Sequence, residues 1–362
     1  MRHVIAKSLG SACLTAALAF SAGIPGATTG KVTLKSAGAL AFGNDGVLFI
    51  GDSLGGSVVA VDTRDTKSSA KSASVDIKGI NEKAAALLGT TPDQILINDV
   101  KVNPISKNIY LSVSRGKGPD AIPVILRIDA AGKLSEFSLD SVAFASASLA
   151  DAPASKPGGR GGDPRNDAIT EIAYVNGNVL IAGLSNQEFA SDLRSIPFPF
   201  KGEIAGAGIK MYHGSHGRYE TQSPIRTFVS YTIGNQQYIL AAYTCTPLVK
   251  IPVSELKPGA KVEGTTIAEL GAGNRPLDLI AYKKDNHDFL LLANSNRGVM
   301  KLDAANLEQY QPIVAHTEAT GVPYTTLADL KGVKHLTRLD DANALMLVDN
   351  AGSMDLRAMP LP

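Results

Sequence analysis

The sequence predicts an all-β fold, a β-propeller of six blades, and three observations predict it. Short apolar runs of four or five residues recur along the 362-residue chain, tight turns separate them, and no helical pattern alternates with them. The middle run of each copy begins at 47, 109, 179, 238, 289 and 345. The copies therefore lie roughly 60 residues apart, and repeated strands at such a period without intervening helices are typical of a propeller.

Each copy is predicted to supply the inner, second and third strands of a blade. In the first copy these strands are 39–42, 47–50 and 58–62, and Asn44-Asp45-Gly46 lies in the turn between the first two. Asn-Gly and Asp-Gly sequences favour tight hairpins because these residues tolerate positive φ. The later copies are predicted at 100–102, 109–112 and 124–129; 172–175, 179–182 and 208–212; 227–231, 238–242 and 248–251; 278–282, 289–293 and 298–303; and 336–339, 345–348 and 353–356.

Insertions account for the excess length of the copies, because a propeller blade commonly needs roughly 40–50 residues. They are assigned to 64–96, 140–168, 186–204 and 305–330. The first contains a predicted short helix at 81–89 that ends at Gly89. The third contains the strand-hostile segment 195–200, expected to cap one face of the ring or to cover a ligand.

Closure of the ring is the next expectation. The last copy stops after its third strand, and the spare strand 31–34 is expected to complete it from the N-terminal side, which removes exposed sheet edges. A seventh, degenerate blade within 305–335 is the alternative count.

The first 23 residues read as a secretory signal. Arg2, His3 and Lys7 precede an apolar run at 8–20, and small residues follow it, so cleavage is expected after 23, with 27 as its far limit. A membrane span would need roughly 20 apolar residues, so no stable span is expected after cleavage. Residues 31–362 are then one propeller domain of a periplasmic or secreted protein. Cys13 leaves with the signal and Cys245 remains alone, so no internal disulfide is expected.

The charge balance limits the class of partner. The chain carries 35 Lys and Arg against 34 Asp and Glu, a formal net charge of +1. Such a balance argues against nucleic acid as a partner. A small molecule or another exported protein is expected instead.

Carboxylates recur where the inner strands begin, at Asp99, Glu171 and Asp278, with Asn98 and Arg226 nearby. The inner strands line the axis, so these side chains are expected to converge in the channel. Converging carboxylate and amide oxygens suit Ca²⁺, and the three carboxylates with Arg226 are also candidate catalytic groups, because repulsion and burial raise the pKa of one of them. The structural alternative is that they accept backbone N–H groups and tie strand entries together.

A second candidate site is the sequence His213-Gly-Ser-His216. Two histidines three residues apart could bind Zn²⁺ or Cu²⁺, with Glu220 or Cys245 as a further ligand. There are two alternatives. One histidine could act as a general base, or the segment could be a structural loop whose imidazoles are hydrogen-bonded.

Two stretches resemble known propellers. Residues 38–52 (GALAFGNDGVLFIGD) resemble the blade motif of NHL-like propellers, and 97–104 with 109–112 are similar to blades of the gluconolactonase/regucalcin group. That resemblance implies six blades and a calcium-dependent lactonase with Asn98 or Asp99 in its metal site. The early metal-binding Glu of the group has no counterpart in the first blade, where Ser36-Ala37-Gly38 stands.

Three functions follow as hypotheses. The first is an exported metal-dependent hydrolase resembling the lactonases, with a metal polarising a carbonyl and a carboxylate activating water. The second is a non-catalytic propeller that binds a ligand or protein at its rim. The third is a redox-associated protein with a metal at His213, His216 and Cys245.

Overall fold

The protein is an all-β chain with one α-helix in the part that the computed structural model describes, residues 23–68, 75–158, 162–202 and 204–362. Apart from Gly23, the predicted signal segment lies outside the described residues. Within these ranges no helix has the length and apolar character that crossing a bilayer requires.

The strands, in chain order, are β1 (Thr28–Gly30), β2 (Leu40–Phe42), β3 (Val47–Asp52), β4 (Ser57–Asp62), β5 (Asp76–Ile77), β6 (Ile95–Val102), β7 (Ile109–Arg115), β8 (Ile122–Ile128), β9 (Leu134–Glu136), β10 (Val142–Ser148), β11 (Glu171–Val175), β12 (Asn178–Leu184), β13 (Ser191–Pro197), β14 (Ala207–His213), β15 (Arg218–Glu220), β16 (Thr227–Ile233), β17 (Gln236–Ala242), β18 (Pro247–Pro252), β19 (Lys261–Glu263), β20 (Thr265–Leu270), β21 (Pro276–Lys284), β22 (His287–Asn294), β23 (Gly298–Asp303), β24 (Ala319–Gly321), β25 (Tyr324–Leu327), β26 (Val333–Arg338), β27 (Asn343–Asn350) and β28 (Ser353–Pro360). Helix α1 is Ile80–Leu88. Single 3-10 turns lie at Asn44–Gly46, Pro92–Gln94, Gly118–Asp120, Pro164–Asp167, Gly214–His216, Val253–Glu255 and Leu307–Gln309.

The strands form six blades. Blade 1 has the order β2-β3-β4-β10-β1, blade 2 is β6-β7-β8-β9, and blade 3 is β11-β12-β13-β14-β15 with β19 also paired to β14. Blade 4 is β16-β17-β18-β20-β24, blade 5 is β21-β22-β23-β25, and blade 6 is β26-β27-β28-β5. The first strand of each blade is its inner strand, and successive inner strands contact one another around the axis.

Blade order in space differs from blade order in the chain. Around the ring the blades run 1-2-6-5-4-3, because blade 1 packs between blades 2 and 3, and blade 2 packs against blade 6. Each of these six interfaces holds its own buried apolar cluster. Helix α1 packs at the interface between blades 2 and 6, with Ile80 and Ala84 buried there. Burial of these clusters between neighbouring blades closes the ring.

The six-bladed fold and most of the predicted strands are confirmed. The second strands match β3, β7, β12, β17, β22 and β27, and the predicted helix matches α1, which ends at Gly89 with φ 65°. The insertion at 305–330 contributes β24 to blade 4 and β25 to blade 5, so it holds no seventh blade.

Two assignments in blade 3 are wrong, a strand and a cap. In blade 3 the third strand is β13, so the strand predicted at 208–212 is β14, the fourth; Ser195 to Pro197 belong to β13 and not to a cap. Phe198 follows directly and packs edge-on against Phe49, with ring centroids 4.9 Å apart.

The closing strand is also a different one. Closure of the last blade by an earlier strand is confirmed, but β5 pairs with β28, not residues 31–34. The backbone N–H of Val32 instead donates to Leu139 O at 2.9 Å, and Val32 is buried in the cluster between blades 1 and 2.

Candidate functional site

A cavity of about 750 Å³ opens on the face where the inner strands begin, here called the entry face. Loops that precede the inner strands and loops between second and third strands surround it. Among its lining residues within the described part of the chain are four cationic side chains and one carboxylate, besides His335: Lys35, Arg226, Arg275, Lys334 and Asp167. The mouth of the channel is therefore cationic.

Beneath this cavity lies the channel cluster, formed by Asp99, Glu171, Asp278, Lys101 and His335. The ammonium of Lys101 is the centre of the cluster, at 3.0 Å from Asp99 Oδ1, 3.6 Å from Glu171 Oε1 and 3.9 Å from Asp278 Oδ1. His335 Nδ1 lies 3.1 Å from Asp278 Oδ2 and 3.9 Å from Asp99 Oδ1. The convergence of the three carboxylates is as predicted, but two cations lie among them.

Local irregularities in three inner strands help to place these side chains. The pairing register shifts between Ile97 and Asp99 in β6, between Pro276 and Asp278 in β21, and between Val333 and His335 in β26. Such bulges re-aim the next side chain, and they are common beside functional sites. Lys101 follows Asp99 by two residues, so the alternation of a strand places both on the same face.

The carboxylates also join neighbouring inner strands. Asp99 Oδ2 accepts the N–H of Leu40 in blade 1 at 2.8 Å, and Asp278 Oδ2 accepts that of Leu336 in blade 6 at 2.9 Å. Glu171 Oε2 accepts the hydroxyl of Thr227 in blade 4 at 3.1 Å. The structural role weighed in the sequence analysis is thus visible at Asp99 and Asp278, whereas Glu171 joins its neighbouring strand through a hydroxyl.

Burial and charge set the protonation of the cluster. Burial raises the pKa of Glu171 to about 7; Lys101 opposes this shift, while Asp99 and Asp278 add to it. Burial alone would lower the pKa of His335, but its hydrogen bond to Asp278 and the charges of Asp278 and Asp99 outweigh burial and raise the pKa. The same carboxylates raise the pKa of Lys101 well above its usual range despite burial. With Glu171 protonated, two carboxylates face two cations.

Calcium does not fit this donor set while Lys101 is in place. A Ca²⁺ ion needs six to eight oxygen ligands, whereas these oxygens accept hydrogen bonds from backbone N–H groups, Thr227 and the ammonium. The Asn98 amide donates instead to Ala37 O at 2.8 Å and Ser114 Oγ at 2.9 Å. Calcium at the channel carboxylates stays a prediction that metal analysis tests.

Arg226 lies at the cavity wall and not in the channel cluster. Its Nη1 donates to Asp167 Oδ1 at 2.8 Å, and its Nε donates to the hydroxyl of Thr244 at 3.2 Å. The guanidinium is therefore held in a fixed orientation. A role for it in catalysis with the three carboxylates also stays a prediction.

The His–Cys cluster, defined as His213, His216 and Cys245, is also assembled by the fold. One ligand atom of each residue lies within 4.8 Å of those of the other two. His213 Nδ1 lies 2.9 Å from Glu220 Oε2, and His216 Nδ1 lies 2.7 Å from Glu220 Oε1. Burial opposes the charge of Glu220, but its hydrogen bonds to both imidazoles and to Ser223 outweigh it and lower the pKa of Glu220 to about 2.

Sequence reasoning missed Lys101, His335 and Arg275. A signal existed for Lys101, since a lysine two residues after Asp99 in one strand lies on the same face as that carboxylate. His335 directly precedes residues 336 and 337, where the last inner strand is predicted to begin. Its position alone could therefore have marked it as a residue of the channel. Arg275 carried no signal, because one arginine in a loop is indistinguishable from other surface arginines.

The titration of Glu171 gives a first testable prediction. The native carboxyl keeps its proton up to about pH 7, whereas in the unfolded chain the proton leaves near 4.5. Between these values the native state binds more protons, so the free energy of unfolding falls as pH rises, by at most about 1.4 kcal/mol per pH unit. Urea unfolding at several pH values measures this slope.

Glu171→Gln is expected to reduce that slope, and Glu136→Gln, a change at an exposed residue of β9, is expected to leave it unaltered. The prediction is contradicted if Glu171→Gln and the unmodified protein show the same dependence on pH.

Comparison with known proteins finds no relative in sequence and only distant matches among solved structures. No protein-family model matches the chain, and no curated protein is similar to it in sequence. Among solved structures, a glucose dehydrogenase matches at 12% identity and a TM-score of 0.37, over 92% of this chain and 100% of its own. The PQQ-bound aldose sugar dehydrogenase of Streptomyces coelicolor matches at 10% identity and 0.34, over 92% and 97%. Drosophila Plexin A in complex with Semaphorin 1b matches at 9% identity and 0.42, over 92% and 87%.

The six-bladed propeller implied by the resemblance to NHL-like and gluconolactonase-like proteins is confirmed by the six sheets of this structure. The activities of these proteins are their own, since a shared propeller does not carry a shared function.

Proposed function

We propose that this chain is an exported propeller that binds a small organic acid in its entry-face cavity. Export rests on the predicted signal segment at 1–23. Binding of an organic acid is inferred from the cationic cavity. The observation that supports it most is that the Arg275 side chain has no partner in the part of the protein that the structure describes. Arg275 is exposed and lines a cavity that also contains Arg226, and within the described residues its guanidinium makes no hydrogen bond or ion pair that would block a ligand.

The electrostatics of this pair favour an anion. Burial lowers the pKa of Arg275, the nearby charge of Arg226 lowers it further, and Asp167 only partly compensates. A ligand carboxylate between the two guanidinium groups would supply the missing negative charge. Arginine suits this role because its planar fork donates to both oxygens of a carboxylate at once.

The floor of the cavity supports binding more than catalysis. The lining includes His335 but none of the carboxylates Asp99, Glu171 and Asp278. Because its carboxylate neighbours raise the pKa of His335, its imidazole favours the charged form, which adds to the positive field and opposes a general-base role.

Arg275→Gln tests the proposal. Loss of a charge-assisted hydrogen bond costs about 1.5–3 kcal/mol, so binding of a carboxylate is expected to weaken about 10- to 100-fold. Calorimetric titration with succinate, citrate and inorganic phosphate, at low and high salt, measures the affinity. Binding is expected to weaken with salt, because part of the site is exposed.

Arg297→Gln is the matched control. Arg297 lies on the same face in the loop between β22 and β23, donates to Ala272 O at 2.9 Å, and does not line the cavity. Its change is expected to leave the affinity as it is. Binding of the neutral diamide of succinic acid as tightly as succinate, or unaltered affinity in Arg275→Gln, would refute the proposal.

Hydrolysis is a second candidate, favoured by one observation. His335 faces the cavity while Asp278 orients its Nδ1. In the molecules whose imidazole is neutral, Nε2 could take a proton from water that attacks an ester or lactone and return it to the leaving oxygen. The calorimeter separates the two functions, because a turned-over aldonolactone gives sustained heat that His335→Gln would remove. Another exported protein as partner stays a prediction.

A further inference from the structure

The His–Cys cluster lies where blades 3 and 4 meet, apart from the channel cluster. His213 is the last residue of β14, and His216 lies in the 3-10 turn that follows. Cys245 belongs to the loop between β17 and β18 of blade 4, and its N–H donates to Asn274 O at 2.7 Å. Two blades therefore contribute donors to one point.

Glu220 fixes the tautomer of both imidazoles. A carboxylate only accepts hydrogen bonds, so each Nδ1 must carry its proton and donate to Glu220. The Nε2 atom of each neutral ring then carries a free lone pair. Ser223 Oγ and Arg218 Nε donate to the same carboxylate at 2.9 and 3.3 Å, so it is itself held in place.

An independent observation points to ligand binding at this cluster. The His213 side chain is only 2% exposed, and its buried Nε2 has no hydrogen-bond partner within the described residues. Buried polar atoms in native proteins are nearly always paired, so such an atom requires an explanation. His216 and Cys245 are partly exposed, which leaves the cluster open to solvent on one side.

We propose that His213 Nε2, His216 Nε2 and the Cys245 thiolate bind a Zn²⁺ ion. Imidazole and thiolate are ligands that zinc prefers, and a carboxylate behind each ligating histidine is the usual second layer of such sites. Three protein ligands leave one of four tetrahedral positions open, as in zinc sites that bind water or a substrate. This inference does not depend on anion binding in the cavity.

Cobalt is the probe for the test, because Co²⁺ takes the place of Zn²⁺ and is coloured. Titration of the full chain with Co²⁺ is expected to produce a thiolate-to-cobalt charge-transfer band and strong visible bands of a four-coordinate ion, and stoichiometric Zn²⁺ should remove both. Cys245→Ser is expected to abolish the charge-transfer band. His216→Gln, at a half-exposed residue, should weaken zinc binding without disturbing the fold.

Glu220 is a positioning residue, and Glu220→Gln is expected to weaken zinc affinity about 10- to 100-fold while the charge-transfer band persists at saturation. The matched control is His287→Gln, in the hairpin of blade 5, where the imidazole lies 3.0 Å from Asp303. It should leave cobalt spectrum and zinc affinity unaltered. A cobalt spectrum typical of the hydrated ion, or one that Cys245→Ser does not change, would overturn the proposal.

Discussion

Lys101→Met is expected to destabilise the protein by about 3–5 kcal/mol, because it removes the cation that three buried carboxylates share. The Lys101 side chain is only 18% exposed, so water cannot replace its charge well. The cost combines the lost Coulomb attraction with repulsion between Asp99 and Asp278, while Glu171 holds its proton more tightly once Lys101 is gone. Urea unfolding at pH 7 should show a lower midpoint with an unchanged slope.

Lys117→Met is the matched control. Lys117 lies 3.5 Å from Asp93, with both side chains mostly exposed, and such a surface pair contributes about 0–1 kcal/mol. If the Lys101 variant fails to fold, Lys101→Met combined with Asp278→Asn answers the question, since it removes one carboxylate as well and should recover part of the stability. Equal stability of the two lysine variants would contradict the ion-paired cluster.

The same experiment bears on calcium. If Lys101 provides the positive charge of the channel, a chelator should leave the midpoint of the unmodified protein unchanged. Loss of stability with chelator, together with stoichiometric calcium that Asp99→Ala and Glu171→Ala remove, would support calcium at the carboxylates instead.

Local rules were enough to predict the blades. The second strands are continuous apolar runs because both faces of each sheet are buried between blades, as Leu48 and Phe49 in β3 show. Asn-Gly at 176–177 joins β11 to β12 as a tight hairpin, with both residues at positive φ. The convergence of Asp99, Glu171 and Asp278 followed from their common position at strand entries.

The arrangement of blades around the ring could not be predicted in the same way. The apolar inner and second strands of different blades have similar sequences of buried residues. The sequences of blades 2 and 6 therefore do not show that these two blades are neighbours. The outer strands are the weakest signals, since β5 has two residues and β9 has three. His213 and Cys245 come together because blades 3 and 4 are neighbours. Their spacing in the sequence could therefore suggest this pair but not establish it.

Arg194→Met is expected to destabilise the protein by about 3–5 kcal/mol through a second buried ion pair in blade 3. The Arg194 side chain is wholly buried, and its Nη2 donates to Asp151 Oδ1 at 2.6 Å while its Nη1 lies 3.2 Å from Asp192 Oδ1. Methionine fills much of the same volume but leaves two carboxylates without a cation. Thermal and urea unfolding of this variant measure the loss.

The pH dependence of the Arg194→Met defect distinguishes a charge effect from a packing effect. Burial already raises the pKa of Asp192 to about 7; Arg194 opposes that rise and Asp151 adds to it. Without Arg194 the native carboxyl binds its proton more tightly still, so the variant should lose stability relative to the unmodified protein as pH rises from about 7 to 9, where Asp192 of the unmodified protein gives up its proton. A defect that is constant over this range would indicate packing alone. Adding Asp192→Asn to Arg194→Met should then restore stability mainly at high pH. The second change removes the carboxylate that titrates and leaves the packing around position 194 unchanged.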